Sequence, residues 1–265
     1  MPPERKNTGH EFPLWLAISL AGLLGFFLYG LWNPVYAPIF TIVARGLGTT
    51  IFVTITAFAL AASLGLIIAL GGTSRSYILR QITRTYVEVI RGIPVLVLLF
   101  YMAFVAAPAL VFAWNAITTP LGLTAVEVRD FNLMWRAIAA LTISYSAYLS
   151  EIFRAGIQSV DKGQAEAARA LGLSRWQIFR HVILYQAFRT VLPPLGNDFI
   201  SMIKDSALVS ALGVADITQM GKIYSSGSFR FFETYNAVAA AYLLMTLGLS
   251  LLLRALERRL WRSAR

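Results

Sequence analysis

Charged residues leave long gaps in this chain, and apolar runs of similar length fill them. Leu14 to Trp32 carries no charge, Gly46 to Ser74 carries none and is most apolar from Leu47 to Leu70, and between Arg91 and Glu127 an uncharged stretch holds an apolar segment from Ile93 to Ala113. Leu133 to Ser150 and Thr234 to Leu253 form two more runs, whereas Val191 to Val214 is interrupted by Pro193, Pro194, Asp198, Lys204 and Asp205. A helix needs about 20 residues to cross the hydrocarbon core of a bilayer. The pattern therefore predicts an all-α membrane protein with six transmembrane helices, the fifth carrying polar groups that cannot face lipid cheaply. The first run follows Arg5 and Lys6 as a signal peptide does, but it is too long for an ordinary signal core and no A-x-A-like site closes it, so it reads as an uncleaved span.

Composition agrees: 57% of residues are hydrophobic and 14% charged, with a mean hydropathy of +0.65, outside the range of soluble domains. The net charge of +10 would raise the question of nucleic acid in a soluble protein. Its distribution answers that question. With both termini cytoplasmic, 17 of the 23 basic residues fall in or beside cytoplasmic segments: Arg5 and Lys6, Arg75 to Arg91, Arg154 to Arg189, and the tail from Arg254 to Arg265. Such asymmetry is the orientation signal of membrane proteins, so the basic balance reports topology and implies lipid, not nucleic acid, as the surrounding partner. Arg136, near one end of the fourth run, is expected to snorkel to the interface. Without cysteine there is no disulfide framework or thiolate chemistry.

The segment from Arg154 to Arg189 is polar and patterned although it lies between two spans. Asp161 and Gln164 have capping-box spacing, Gln164 to Leu171 are good helix formers, and Gly172 is placed to end the helix in a left-handed conformation. Ser174 and Gln177 repeat the box, predicting a second, amphipathic helix from Arg175 to Ala187. On these residues alone, a hairpin that caps the bundle and a docking element with exposed alanines fit equally well.

The residues in this hairpin resemble a known family. Glu166-Ala-Ala-Arg-Ala-Leu-Gly172, followed by Val182-Ile-Leu184, is similar to the EAA loop of ABC importer permeases. Glu88-Val-Ile-Arg-Gly-Ile-Pro94, Tyr148 to Arg154, Gln186-Ala-Phe-Arg189, Leu192 to Asn197 and Lys204-Asp-Ser-Ala-Leu208 resemble the histidine/glutamine branch that handles polar amino acids. The resemblance runs from Gly46 to the C-terminus. It implies a type I permease fold with a cytoplasmic coupling helix, divided as residues 1–46 (cytoplasmic tail, additional first helix, short outer loop), 47–256 (permease domain with a coupling loop over 155–189) and 257–265 (basic tail). It further implies a bacterial cytoplasmic (inner) membrane location, a cytoplasmic ATPase dimer that binds the ATP and Mg, a second permease copy or paralogue, and an extracytoplasmic amino-acid-binding protein. Glu166, Ala167, Ala168 and Gly172 become the ATPase-coupling residues. Two departures stand out: Tyr185 replaces the proline that usually follows the loop, and Ser206-Ala207 replace Thr-Ser after Lys204-Asp205.

No phosphate-binding Gly-x-x-x-x-Gly-Lys-[Ser/Thr] loop occurs, so the energy source is expected in the partner, with no cofactor in this chain. No nucleophile–base pattern suggests a catalytic residue, and His10 and His181 are too isolated for a metal site. Asn197, Ser201, Lys204 and Asp205 in the fifth span are the substrate-path candidates, with Asn197, Ser201 and Lys204 on one helix face. The same residues also fit a self-satisfied Lys204–Asp205 pair. Glu88 with Arg91 and Glu151 with Arg154, each at i, i+3, are gate or ion-pair candidates. A channel or secondary transporter would share the spans and charges but has no need of the alanine-rich hairpin.

Overall fold

The computed structural model describes residues 14–262, and every regular element among them is helical. α1 (Leu14–Trp32) turns into α2 (Tyr36–Arg45), which passes at Gly46 into α3 (Leu47–Gly72). α4 (Tyr77–Gly92) ends where Pro94 forces an extended conformation, and α5 (Val95–Tyr101), a π turn (Met102–Ala106) and α6 (Ala107–Thr118) then form one continuous rod. α7 (Leu133–Gln158) leads to the hairpin of α8 (Lys162–Ala170) and α9 (Arg175–Ile178), and α10 (Leu184–Asp205), α11 (Ile217–Ser228) and α12 (Phe231–Arg262) complete the chain. Four stretches, Leu14–Trp32, Tyr36–Gly72, Val95–Leu121 and Phe231–Arg258, are long and apolar enough to cross a membrane on length and composition alone. α7 and α10, at 26 and 22 residues, have the length but carry polar side chains; those of α7 from Arg136 to Ser150 are largely buried, whereas Asn197 and Lys204 of α10 are exposed.

The core is the α3–α7 contact. Ala57, Ala61, Gly65 and Ala69 recur every fourth residue and form a buried stripe along α3. Small side chains let two backbones approach, which is how helices associate where lipid removes most of the hydrophobic driving force. At Gly65 a Cβ would lie 3.0 Å from the Ser146 carbonyl oxygen and 3.1 Å from Leu149 Cβ, so the crossing depends on the missing side chain. Leu141, Leu149, Leu99 and Met202, all fully buried, fill the space around the stripe. α1 lies outside this core: Phe26 packs edge-on against Tyr36 and Phe40 of α2 with centroids 5.2 and 5.6 Å apart, and Arg254 of α12 sits 5.6 Å over the Trp15 ring.

Three expectations need correction. The short outer loop before residue 47 contains a helix, α2, whose Ile39 and Val43 are buried with Ile217, Ala237 and Val238. The separate amphipathic helix expected from Arg175 to Ala187 does not end there: a π turn over Phe179–Ile183 carries α9 directly into α10. The π turn supplies the irregularity that a proline at Tyr185 would otherwise give. Arg136 does not snorkel. It is 6% exposed, and its guanidinium donates to the carbonyls of Phe131 (2.7 Å), Ala103 (2.9 Å) and Val128. Ala103 lies in the π turn of the third span, so a buried cation fastens that turn to the loop before α7. Arg5, Lys6 and the expected cytoplasmic N-terminal tail lie outside the described residues, as does Arg265.

Candidate coupling hairpin and translocation path

The hairpin is built by local chemistry. Asp161 caps α8 by accepting the Gly163 N–H at 2.7 Å, while Gln164 contributes only a backbone bond, so the first capping box is half made. The second is complete, with Ser174 Oγ accepting from Gln177 N–H and Gln177 Oε1 accepting from Ser174 N–H. Between them Gly172 has φ +79°, and Leu173 N–H returns to the Ala168 carbonyl at 3.2 Å, closing α8 in a left-handed C-cap. A Cβ on Gly172 would meet nothing within 4 Å, so the glycine is needed for its backbone angle and not for space.

Glu166, Ala167 and Gly172 are exposed, whereas Ala168 is only 6% exposed because α8 folds against α9 and the π turn. Ala168 therefore serves the hairpin's own packing. Two apolar side chains beside the exposed group stand out: Leu171 is 81% exposed and Trp176 66%, the latter stacked on Phe179 with centroids 5.9 Å apart. Large apolar groups are thus left open on an otherwise polar hairpin.

The path candidates divide between two faces of α10. Asn197 and Lys204 are exposed and Ser201 half-buried, all on one side. Asp205 turns to α7, where its Oδ2 accepts from the Tyr145 hydroxyl at 2.7 Å. Among the described residues no ion pair joins Lys204 to Asp205, which removes the direct form of the self-satisfied pair. Tyr145 was not singled out from sequence, because one tyrosine in an apolar run looks like core until its partner is seen.

Of the two i, i+3 pairs, one closes. Arg154 Nη2 lies 2.5 Å from Glu151 Oε2, at the end of α7 beyond its apolar segment, and Arg154 Nη1 also donates to Gln158 at 2.9 Å. The Arg154 hydrogen bonds hold the Glu151 carboxyl below its ordinary range, against the opposing effect of burial. Glu88 makes no ion pair with Arg91 among the described residues; Arg91 instead sits 5.5 Å over the Tyr148 ring. Tyr86, one turn before, bonds Ser146 Oγ at 2.7 Å and donates to the Ile143 carbonyl at 3.1 Å, fixing α4 on α7. No cluster of His, Cys, Asp or Glu able to hold a metal occurs among the described residues.

A family profile described as the inner membrane component of binding-protein-dependent transport systems matches residues 61–262, which include the core stripe from Ala61 onward, the hairpin and both faces of α10. The chain belongs to this family. The permease is 36% identical over 229 residues to the glutamine transport system permease protein GlnP of Escherichia coli (strain K12), spanning 86% of this chain and 97% of the relative. It is 37% identical over 219 residues to the probable amino-acid permease protein YxeN of Bacillus subtilis (strain 168), spanning 83% and 91%. The crystal structure of an amino acid ABC transporter with histidines superposes with a TM-score of 0.69 at 39% identity, covering 84% of this chain and 95% of that one. The inward-facing MetNI methionine ABC transporter shares the fold at 21% identity and a TM-score of 0.60, with 86% and 98% covered. This permease is thus the membrane-integral component of an amino acid ABC importer with a type I fold. It is a transport subunit and not an enzyme, ATP hydrolysis belonging to a separate ATPase.

Proposed function

We propose that the permease forms the translocation path for polar amino acids in a bacterial cytoplasmic membrane, through six spans with both termini cytoplasmic, and pairs with a second copy or a paralogue. A cytoplasmic ATPase dimer, which holds the ATP and Mg, receives the α8–α9 hairpin, and an extracytoplasmic binding protein delivers the amino acid. The observation that carries this reading is the hairpin itself: a left-handed glycine turn at φ +79° presents Glu166, Ala167, Leu171 and Trp176 outward, directly between α7 and α10. Because the π turn makes α9 and α10 one helical rod, displacement of the hairpin moves the face bearing Asn197, Ser201 and Lys204. That geometry converts closure of two ATPases into a change between two bundle arrangements biased by differential contacts. Relatives named as glutamine and L-cystine permeases support a polar amino acid as substrate. Purification of the intact complex in detergent tests the reading: a nucleotide-binding subunit should be retained, and polar amino acids with their binding protein should stimulate ATP hydrolysis. Retention of no such subunit would oppose it.

A further inference from the structure

Between Leu141 and Ser150, in the middle of α7, every residue is buried or half-buried except Tyr148, which is 37% exposed. A helix that its neighbours otherwise cover is thus open at one side chain. Arg91, from the last turn of α4, stands at that opening with its guanidinium carbon 5.5 Å from the Tyr148 ring centroid. The Tyr148 ring meets that of Tyr145 at 6.2 Å, and the Tyr145 hydroxyl donates to Asp205 at the end of α10. Arg91 of α4 and the Lys204–Asp205 segment of α10 therefore flank the same stretch of α7.

The charge of Arg91 has no carboxylate of its own. Glu88, one turn back on α4, makes no ion pair with it, and the Arg91 side chain has no hydrogen bond among the described residues. Glu151, one turn beyond Tyr148, feels the Arg91 charge, but both its oxygens are taken by Arg154, at 3.2 and 2.5 Å. Arg91 stands four residues before Val95, where an apolar span begins, and beside the apolar run of α7. A cation at that depth is costly unless it meets water, protein or an anionic ligand. The aromatic face supports the guanidinium but satisfies none of its five N–H donors.

A planar, permanently charged fork of donors matches a carboxylate, which it binds through two parallel hydrogen bonds. An amino acid carries an α-carboxylate whatever its side chain, so one fixed site for that group leaves the side chain to be met elsewhere along the path. We propose that Arg91 binds the α-carboxylate of the transported amino acid, with Tyr148 as the positioning residue that seats the guanidinium. The proposal deepens the proposed function and rests on its reading that an amino acid passes along α10. It separates two cations by role: loss of Arg91 weakens all amino acids alike, whereas loss of Lys204 re-ranks them by side chain.

The test is equilibrium binding of labelled glutamine, and of its α-amide, which lacks the carboxylate, to the intact permease–ATPase complex in detergent without binding protein. Wild type should bind glutamine at least about tenfold tighter than the amide, the discrimination expected of a charge-assisted pair. Arg91→Gln should bind both equally, at the amide's affinity, with an unchanged melting temperature. Arg91→Lys keeps the charge without the fork and should recover only part of the preference. It carries the test if Arg91→Gln fails to fold, an unaltered preference then overturning the proposal. Arg45→Gln, at an exposed arginine ending α2, should leave the preference unchanged. Equal binding of glutamine and its amide by wild type, or a full preference for glutamine in Arg91→Gln, would overturn the site while leaving glutamine as a substrate. Wild type that neither binds glutamine nor, with binding protein and ATP, accumulates it would remove the substrate reading and this site with it. Loss of a second permease copy from Arg91→Gln, read by native mass spectrometry, would assign the guanidinium to a contact between copies and likewise overturn the proposal.

Discussion

The Tyr145 hydroxyl donates to the Asp205 carboxylate at 2.7 Å, joining α7 to the end of α10. This bond leaves Lys204 free of its sequence neighbour and sets the two apart in role. Lys204→Met should therefore leave expression and melting temperature near wild type while reducing uptake or re-ranking acidic, neutral and basic substrates. Asp205→Leu added to it should not restore transport, because the two side chains are not partners. Full uptake by Lys204→Met would take that side chain out of the path. Tyr145→Phe should cost about 0.5–2 kcal/mol in thermal or chemical unfolding, the range of interhelical hydrogen bonds in membrane proteins.

Asp216 is fully buried and caps α11, accepting from Gln219 N–H at 2.8 Å and from the Tyr242 hydroxyl at 3.0 Å, while Ile217 N–H reaches Thr50 at 3.2 Å. α3, α11 and α12 thus meet at this cap, with α11 and α12 bonded to the carboxylate itself. Asp216→Ala should lower stability by about 1–3 kcal/mol through loss of the cap and of the buried partner of Tyr242. Asp130→Ala, which removes an exposed cap in the loop before α7, should stay near the lower end of the capping range. Equal effects in detergent unfolding would show that burial does not govern the difference.

Topology is directly accessible because the chain has no cysteine. A single cysteine at Ser159 should resist an impermeant thiol reagent applied outside intact cells, whereas one at Thr119 or Ser226 should react. All three side chains are in exposed positions, so an unreactive site reports sidedness and not burial. External labelling at Ser159 would place the hairpin on the wrong face for an ATPase.

Apolar run length revealed the elements well where a helix is bounded by charge or by a cap. The uncharged run ends at Trp32 as α1 does, and Gly172 and the Ser174–Gln177 box mark the hairpin's turn and second start. It failed where tertiary partners set the conformation. Arg136 could not be recognised as a buried cation, because its acceptors are carbonyls of Ala103, Val128 and Phe131, which no residue type announces. The π turn at Phe179–Ile183 has no proline or glycine to signal it, so the pattern shows one rod as two elements, a helix to Ala187 and a span from Val191. In the path, residue type identified Asn197, Ser201, Lys204 and Asp205 as costly in lipid, but only geometry separates the α7-facing Asp205 from the exposed Lys204.

The central claim is that the hairpin transmits ATP hydrolysis to the path, and uptake by the reconstituted complex tests it most directly. Labelled glutamine, presented with its binding protein to proteoliposomes enclosing ATP, should accumulate only with hydrolysable nucleotide. Gly172→Val places a β-branched residue at φ +79° where no neighbour lies within 4 Å, so the strain is confined to the turn. That variant, and Glu166→Lys, should keep the wild-type melting temperature but lose at least about tenfold in uptake and in retention of the ATPase, as expected when a packed contact worth about 1.4 kcal/mol or more is removed. Uptake at the wild-type rate by both variants, or accumulation without ATP, would contradict the account.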